Sequence, residues 1–123
     1  MYLMVFRGGL ATDPSLFPDS NILRKAVKEP SRQELVLVAH EGIETARNKL
    51  REDAQQDYIA LRALSRDRGA TEALWLARFD QMDRERSQAD TAVLDSLFQM
   101  RASMTRKEWD RVFNPSWYQR LVR

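Results

Sequence analysis

Cysteine is absent from the 123-residue chain, and that absence removes several chemistries at once. Disulfides, thiol nucleophiles, zinc–thiolate centres and iron–sulfur clusters all require it. Histidine is nearly as scarce, with His40 the single one. No Ser–His–Asp or Cys–His set can be built on sequence order alone. Glycine-rich phosphate loops are missing too, because Arg7-Gly8-Gly9 has neither the Walker nor the dinucleotide spacing. Carboxylate pairs such as Glu52/Asp53 and Asp80/Asp83 do occur, but on charged helices such pairs mark solvated faces. The expectation is a protein that is not an enzyme, with no cofactor and no evident small-molecule substrate.

Long apolar runs are also lacking. Residues 1–6, Met-Tyr-Leu-Met-Val-Phe, are apolar but far too short to span a bilayer, and they do not make a signal peptide. They read either as the end of a membrane anchor upstream of Met1 or as a short segment packed on the rest of the protein. One-signed charge is modest, at a formal +2, too little to argue for nucleic acid as the partner. Its distribution is uneven. Residues 106–123 carry five basic side chains against Glu108 and Asp110.

Glycine and proline number only four each, whereas Ala, Leu, Arg, Glu and Gln are plentiful, a balance that favours helix over strand. Turn chemistry gathers in residues 8–20. Asp19 or Ser20 can cap a short helix over about 21–29, with Ile22, Leu23, Ala26 and Val27 on its apolar face, and Pro30 ends it. Ser31-Arg-Gln-Glu34 has the form of a capping box. From there Leu35, Ala39, Ile43, Ala46, Leu50, Ala54, Asp57/Tyr58, Leu61 and Leu64 step by threes and fours to about residue 68. A strand reading of Leu35–Ala39 yields to the cap before it and the period after it. Gly69 marks a break, and Thr71-Glu72 opens a second long helix with the seam Trp75, Phe79, Met82, Arg86, Ala89, Val93, Leu97, Met100 and Met104. Gly42 inside the first seam is explained by a close crossing or a bend there, and equally by chance. Thr105-Arg-Lys-Glu108 is a further capping box before a short helix ending near Asn114-Pro115.

The sequence therefore predicts an all-α protein: a long antiparallel hairpin of helices over 31–68 and 70–104, flanked by short helices over 21–29 and 105–113. Residues 1–20 form an irregular N-terminal segment, and 21–123 a single helical domain.

Candidate binding residues follow from what the hairpin leaves over. His40 and Glu44, one turn apart on the same helix, can supply two metal ligands, with more needed from Glu41 or the facing helix. The plainer reading is a surface histidine beside a carboxylate. Met82, Met100 and Met104 fit flexible core filling better than soft-metal binding. Val36, Leu37 and Val38 make the first long helix apolar all round, so Val36 and Val38 are candidates for covering by another element or a partner. Arg86 lies on a seam, where it can snorkel, pair with Asp57, or mark the meeting with a second chain. Trp109, Trp117, Tyr118 and Arg120 alternate aromatic and basic character near the C-terminus. They fit either a partner contact or a cap folded back on the open end of the hairpin.

Met104-Thr105-Arg106-Lys107-Glu108, after a long amphipathic helix, is similar to the Leu-Thr-x-x-Gln motif of the Spy/CpxP-like periplasmic chaperones and related periplasmic heavy-metal sensors. The resemblance spans about residues 31–113. Met stands for Leu and Glu for Gln, one copy is present rather than two, and the sensors' several histidines reduce to His40. It implies a periplasmic or membrane-tethered hairpin that binds other proteins or itself as a homodimer, in an envelope-stress or chaperone-like role. A metal-responsive sensor is the first alternative. A cytoplasmic regulatory or nucleic-acid-associated factor using the basic tail is the second.

Overall fold

The computed structural model describes residues 17–113; the apolar start and the tail residues Trp117, Tyr118 and Arg120 lie outside them. The described residues are all-α, with four helices and no strand among them. These are α1 (Ser20–Ala26), α2 (Pro30–Arg66), α3 (Glu72–Ala102) and α4 (Arg106–Phe113). Helices α2 and α3 pack along their length as an antiparallel hairpin. At 1.5 Å per residue α2 runs about 55 Å, much longer than an ordinary globular helix.

Helix starts are set by local chemistry. Asp19 caps α1 by accepting from the Ile22 N–H at 2.9 Å. For α2 the cap differs from the expected Ser31 box. Glu29 takes that position, accepting from the N–H groups of Ser31 (3.2 Å) and Arg32 (2.7 Å). The reason is Pro30, whose fixed φ and missing N–H suit the first helical position, so the helix starts before Ser31 can cap it. Thr71 caps α3 through the Leu74 N–H, 3.3 Å away. Before α4 the expected capping box forms in full. Glu108 N–H donates to Thr105 Oγ1 at 3.1 Å, and Thr105 N–H donates to Glu108 Oε1 at 2.8 Å. Between the long helices, Asp67 Oδ1 accepts from the Gly69 N–H at 2.8 Å and closes the tip.

Gly42 faces α3 at a close crossing. A Cβ built there would lie 2.5 Å from Ser96 Oγ, well inside contact distance. This crossing and the Asp57–Arg78 contact near the tip fix the register of the two long helices.

The core occupies the open end of the hairpin. Leu23, Val27, Val36, Ile43, Val93 and Met100 are its large, fully buried members. Half-buried Leu37, Met104, Trp109, Val112 and Phe113 pack against them. Helices α1 and α4 lie together on one face of the hairpin and thicken it there to four helices. Polar groups lock this end. Arg32 reaches from α2 to the Glu108 carboxylate as a two-pronged pair, Nη2 donating to Oε2 at 3.0 Å, and donates to the Ser103 carbonyl at 3.3 Å. Gln33 Nε2 donates to the carbonyls of Val27 (2.9 Å) and Arg24 (3.1 Å), which the end of α1 would otherwise leave open.

Candidate protein-interaction surface

The seam of α2 and α3 runs on past the covered end, but among the described residues its cover does not. On the covered face Gln33, Leu37, His40 and Glu44 of α2, Asp90 and Leu97 of α3, and Met104 just beyond α3 are drawn partly inside. The opposite positions Leu35, Val38 and Thr45, with Ala92, Asp95 and Gln99, stay exposed. Beyond Ala46 and Ala89 the apolar core stops. From there to the tip, Asp57 is the one fully buried residue, 5% exposed. The same face now presents Leu50, Ala54, Tyr58 and Leu61 of α2 beside Trp75, Phe79, Met82 and Arg86 of α3. Tyr58 is 64% exposed and Phe79 44%. The Trp75 and Phe79 rings lie 6.2 Å apart, a tilted pair within reach of mutual attraction. Between the helices Leu50, Ala54, Tyr58, Leu61, Met82 and Arg86 line a groove of about 270 Å³ whose floor is Asp57 and Glu85.

That floor is electrostatically unusual. Arg78 Nη1 donates to Asp57 Oδ1 at 3.2 Å across the hairpin. Glu85 takes a hydrogen bond from Gln81 Nε2 at 3.0 Å through one oxygen, while Oε1 is buried without a conventional donor. Burial, together with a hydrogen bond to Asp57, pushes the Glu85 carboxyl above its ordinary range. A carboxyl group shielded from water beside a second carboxyl favours its neutral form.

The expected binding residues fall in different places. Val36 is fully buried beneath α1 and α4, so it packs the core and is not available to a partner. Val38 is 58% exposed on the far side. Arg86 lines the groove, half-buried, but Asp57 pairs with Arg78 instead. In the helix register Arg86 stands level with Leu50, two turns up from Asp57. Trp109 closes the open end, its ring 4.1 Å from that of Phe113. His40 and Glu44 are both half-buried, and Glu44 pairs with Arg47 at 3.3 Å. Among the described residues no group of three or more His, Cys, Asp or Glu side chains is placed to hold a metal ion. Also among them, no helix is long and apolar enough to cross a membrane.

Sequence reading placed Tyr58, Trp75 and Phe79 on the seams without singling them out for binding, and took Met82 as core filling. Their signal was periodicity, which does not say which stretch of a seam is covered. The Asp57–Glu85 pair was missed because its members sit on different helices. Compared with protein-family models, with curated proteins and with solved structures, the chain has no significant match.

Proposed function

We propose that the protein is a non-enzymatic helical interaction protein that binds polypeptide on the uncovered distal face of its hairpin. One observation carries the reading: the apolar seam continues for about 28 Å beyond the four-helix end with no covering element among the described residues. Contiguous apolar surface with aromatic rims is costly to leave in water, and on soluble proteins it marks contact sites. Tyr and Trp beside Met and Arg are also the residues enriched at such contacts. A chaperone-like role in the cell envelope, which the Thr105–Glu108 motif and the hairpin suggest, is the specific form of this proposal. An open groove with a flexible methionine suits varied apolar segments.

A photo-crosslinking side chain at Phe79 tests the reading in cells. Polypeptide adducts are expected there, and none from the same group at exposed Asp95 on the far side. Equal labelling at both positions, or none at either, sinks the proposal. The chaperone form has its own measure. The protein should slow aggregation of a denatured client, and Phe79→Asp should remove that effect.

A further inference from the structure

At the open end the fold brings together basic residues from the two ends of the described sequence. Helix α1 leads into α2 there, and α3 hands over to α4 there. Lys25 stands one residue before the end of α1, and Lys28 follows in the link to α2. Arg101 stands one residue before the end of α3, and Arg106 and Lys107 open α4. All five are exposed. The acids nearest to them are already engaged. Glu29 caps α2, and Glu108 is held by Arg32 and by the Thr105 N–H. We infer that this basic end docks the protein on an anionic lipid surface, with the distal arm of the hairpin projecting away from it. The surface lies at the opposite end of the hairpin from the distal groove and serves a different partner.

Helix stability does not account for these charges. Lys25 and Arg101 suit the last turns of α1 and α3, but Arg106 and Lys107 sit in the first turn of α4, where the helix dipole disfavours a cation. Lys28 belongs to no helix. A cationic cluster kept against local preference points to an anionic partner. Exposed apolar side chains at the same end favour lipid over nucleic acid. Leu35 and Phe98 are each more than half exposed, and both lie within about 8 Å of the end of the hairpin along the helix axes. That matches the depth to which apolar side chains enter the boundary between headgroups and acyl chains. The Arg101 guanidinium lies 4.8 Å from the centre of the Phe98 ring, so the charge can stay with the headgroups while the ring enters the apolar boundary. A nucleic-acid backbone offers no matching apolar layer. Charge also sets the orientation. Residues 17–34 and 101–113 hold eight Lys and Arg against five Asp and Glu, whereas residues 35–100 hold nine against twelve. An anionic surface therefore attracts the open end and repels the arm, so the hairpin stands end-on and the distal groove stays in water.

Co-sedimentation of the full chain with vesicles of phosphatidylcholine containing about 30% phosphatidylserine tests this, with pure phosphatidylcholine as the neutral comparison. Binding is expected only to the mixed vesicles, and raising the salt from about 0.1 to 0.5 M should release it. Each basic side chain near such a surface is worth about fivefold in affinity. Lys25→Gln, Lys28→Gln, Arg106→Gln and Lys107→Gln together should therefore weaken binding by about a hundredfold or more. Arg62→Gln, Arg66→Gln and Arg68→Gln together remove charge at the tip and should leave binding unchanged within about twofold. All seven side chains are exposed, so circular dichroism should show the same helicity in both variants. The missing cysteines allow a direct test of orientation. A polarity-sensitive dye on Ser31→Cys, at the open end, should shift to shorter wavelength on the mixed vesicles, and one on Arg68→Cys should not. A shift only at Arg68→Cys overturns the end-on arrangement. No binding to the mixed vesicles, equal binding to both kinds, or equal losses in the two variants overturns the inference itself. Tighter binding to a DNA duplex of about 20 base pairs at the same salt, lost in the open-end variant, assigns the patch to nucleic acid and overturns it too.

Discussion

Three residues show how single side chains set the behaviour of this hairpin. Gly42 sits in mid-helix, where glycine costs about 1 kcal/mol relative to alanine. The nearest obstacle to a Cβ is the Ser96 hydroxyl, 2.5 Å away, while the Ser96 Cβ stands at an ordinary 3.5 Å. A hydroxyl can turn to another rotamer, so Gly42→Ala should be close to neutral as the propensity gain offsets the disturbed serine. Gly42→Ala with Ser96→Ala should gain about 1 kcal/mol, and Gly42→Leu should lose roughly 1–3 kcal/mol through overpacking. Urea unfolding of the three variants checks the order. Glu108 and Glu85 should give opposite pH dependences. The Arg32 guanidinium, aided by the Thr105 N–H, holds the Glu108 carboxyl down at about 2. The unfolded chain then binds the extra proton, so this pair stabilises the fold above pH 4.5 and is lost as pH falls from there towards 2. Glu108→Gln should cost about 1–2 kcal/mol at pH 7, at the lower end for charge-assisted bonds because Arg32 is a third exposed. That cost should shrink towards zero near pH 2. Glu85 runs the other way. Its carboxyl is raised by burial and by Asp57, so the folded chain holds the proton and stability falls as pH climbs above 4.5. Glu85→Gln supplies a permanent donor towards Asp57 and should raise Tm at pH 8 by about 4 °C, the equivalent of about 1 kcal/mol for one satisfied buried pair. The gain should vanish near pH 4. Calorimetric melts across pH 2–8 follow both variants.

At the scale of elements, much of the fold was legible because its signals are local. The three–four stepping from Leu35 to Leu64 and from Trp75 to Met104 marks both long helices, and Gly69 marks the turn between them. Thr105 and Glu108, three residues apart, specify the last cap, and the structure forms it as expected. The misread element start is instructive. Ser31 and Glu34 have the spacing of a capping box, but Pro30 is more compelling as a first helical residue, and this hands the cap to Glu29. Two local signals competed, and the one that constrains the backbone won over the one that needs a side-chain rotamer. The partner of Asp57 was out of reach for a different reason. Choosing Arg78 over Arg86 needs the register of α3 on α2, and that register depends on how closely the helices approach at Gly42 and Ser96. One glycine hints at such a contact without naming what it touches.

For the molecule as a whole, the informative fact is that one continuous seam is treated in two ways. Periodicity was uniform along the 70 residues from Leu35 to Met104, so it could not show that α1 and α4 cover only the half near the chain ends. Val36 illustrates the consequence: its apolar surroundings suggested a contact for a partner, and the fold itself fills that need. Stability should be divided in the same way. Opening free energy follows the burial of apolar side chains, and the large buried ones lie at the four-helix end. Amides of Val36 to Ala46 and of Ala89 to Met100 should exchange slowly, near the global limit. Those of Ala54 to Leu64 and of Trp75 to Met82 should exchange much faster in dilute solution, since a two-helix arm gains little from packing. Hydrogen exchange read by mass spectrometry measures both sets in one sample. Equal exchange rates in the two sets would overturn this division of stability.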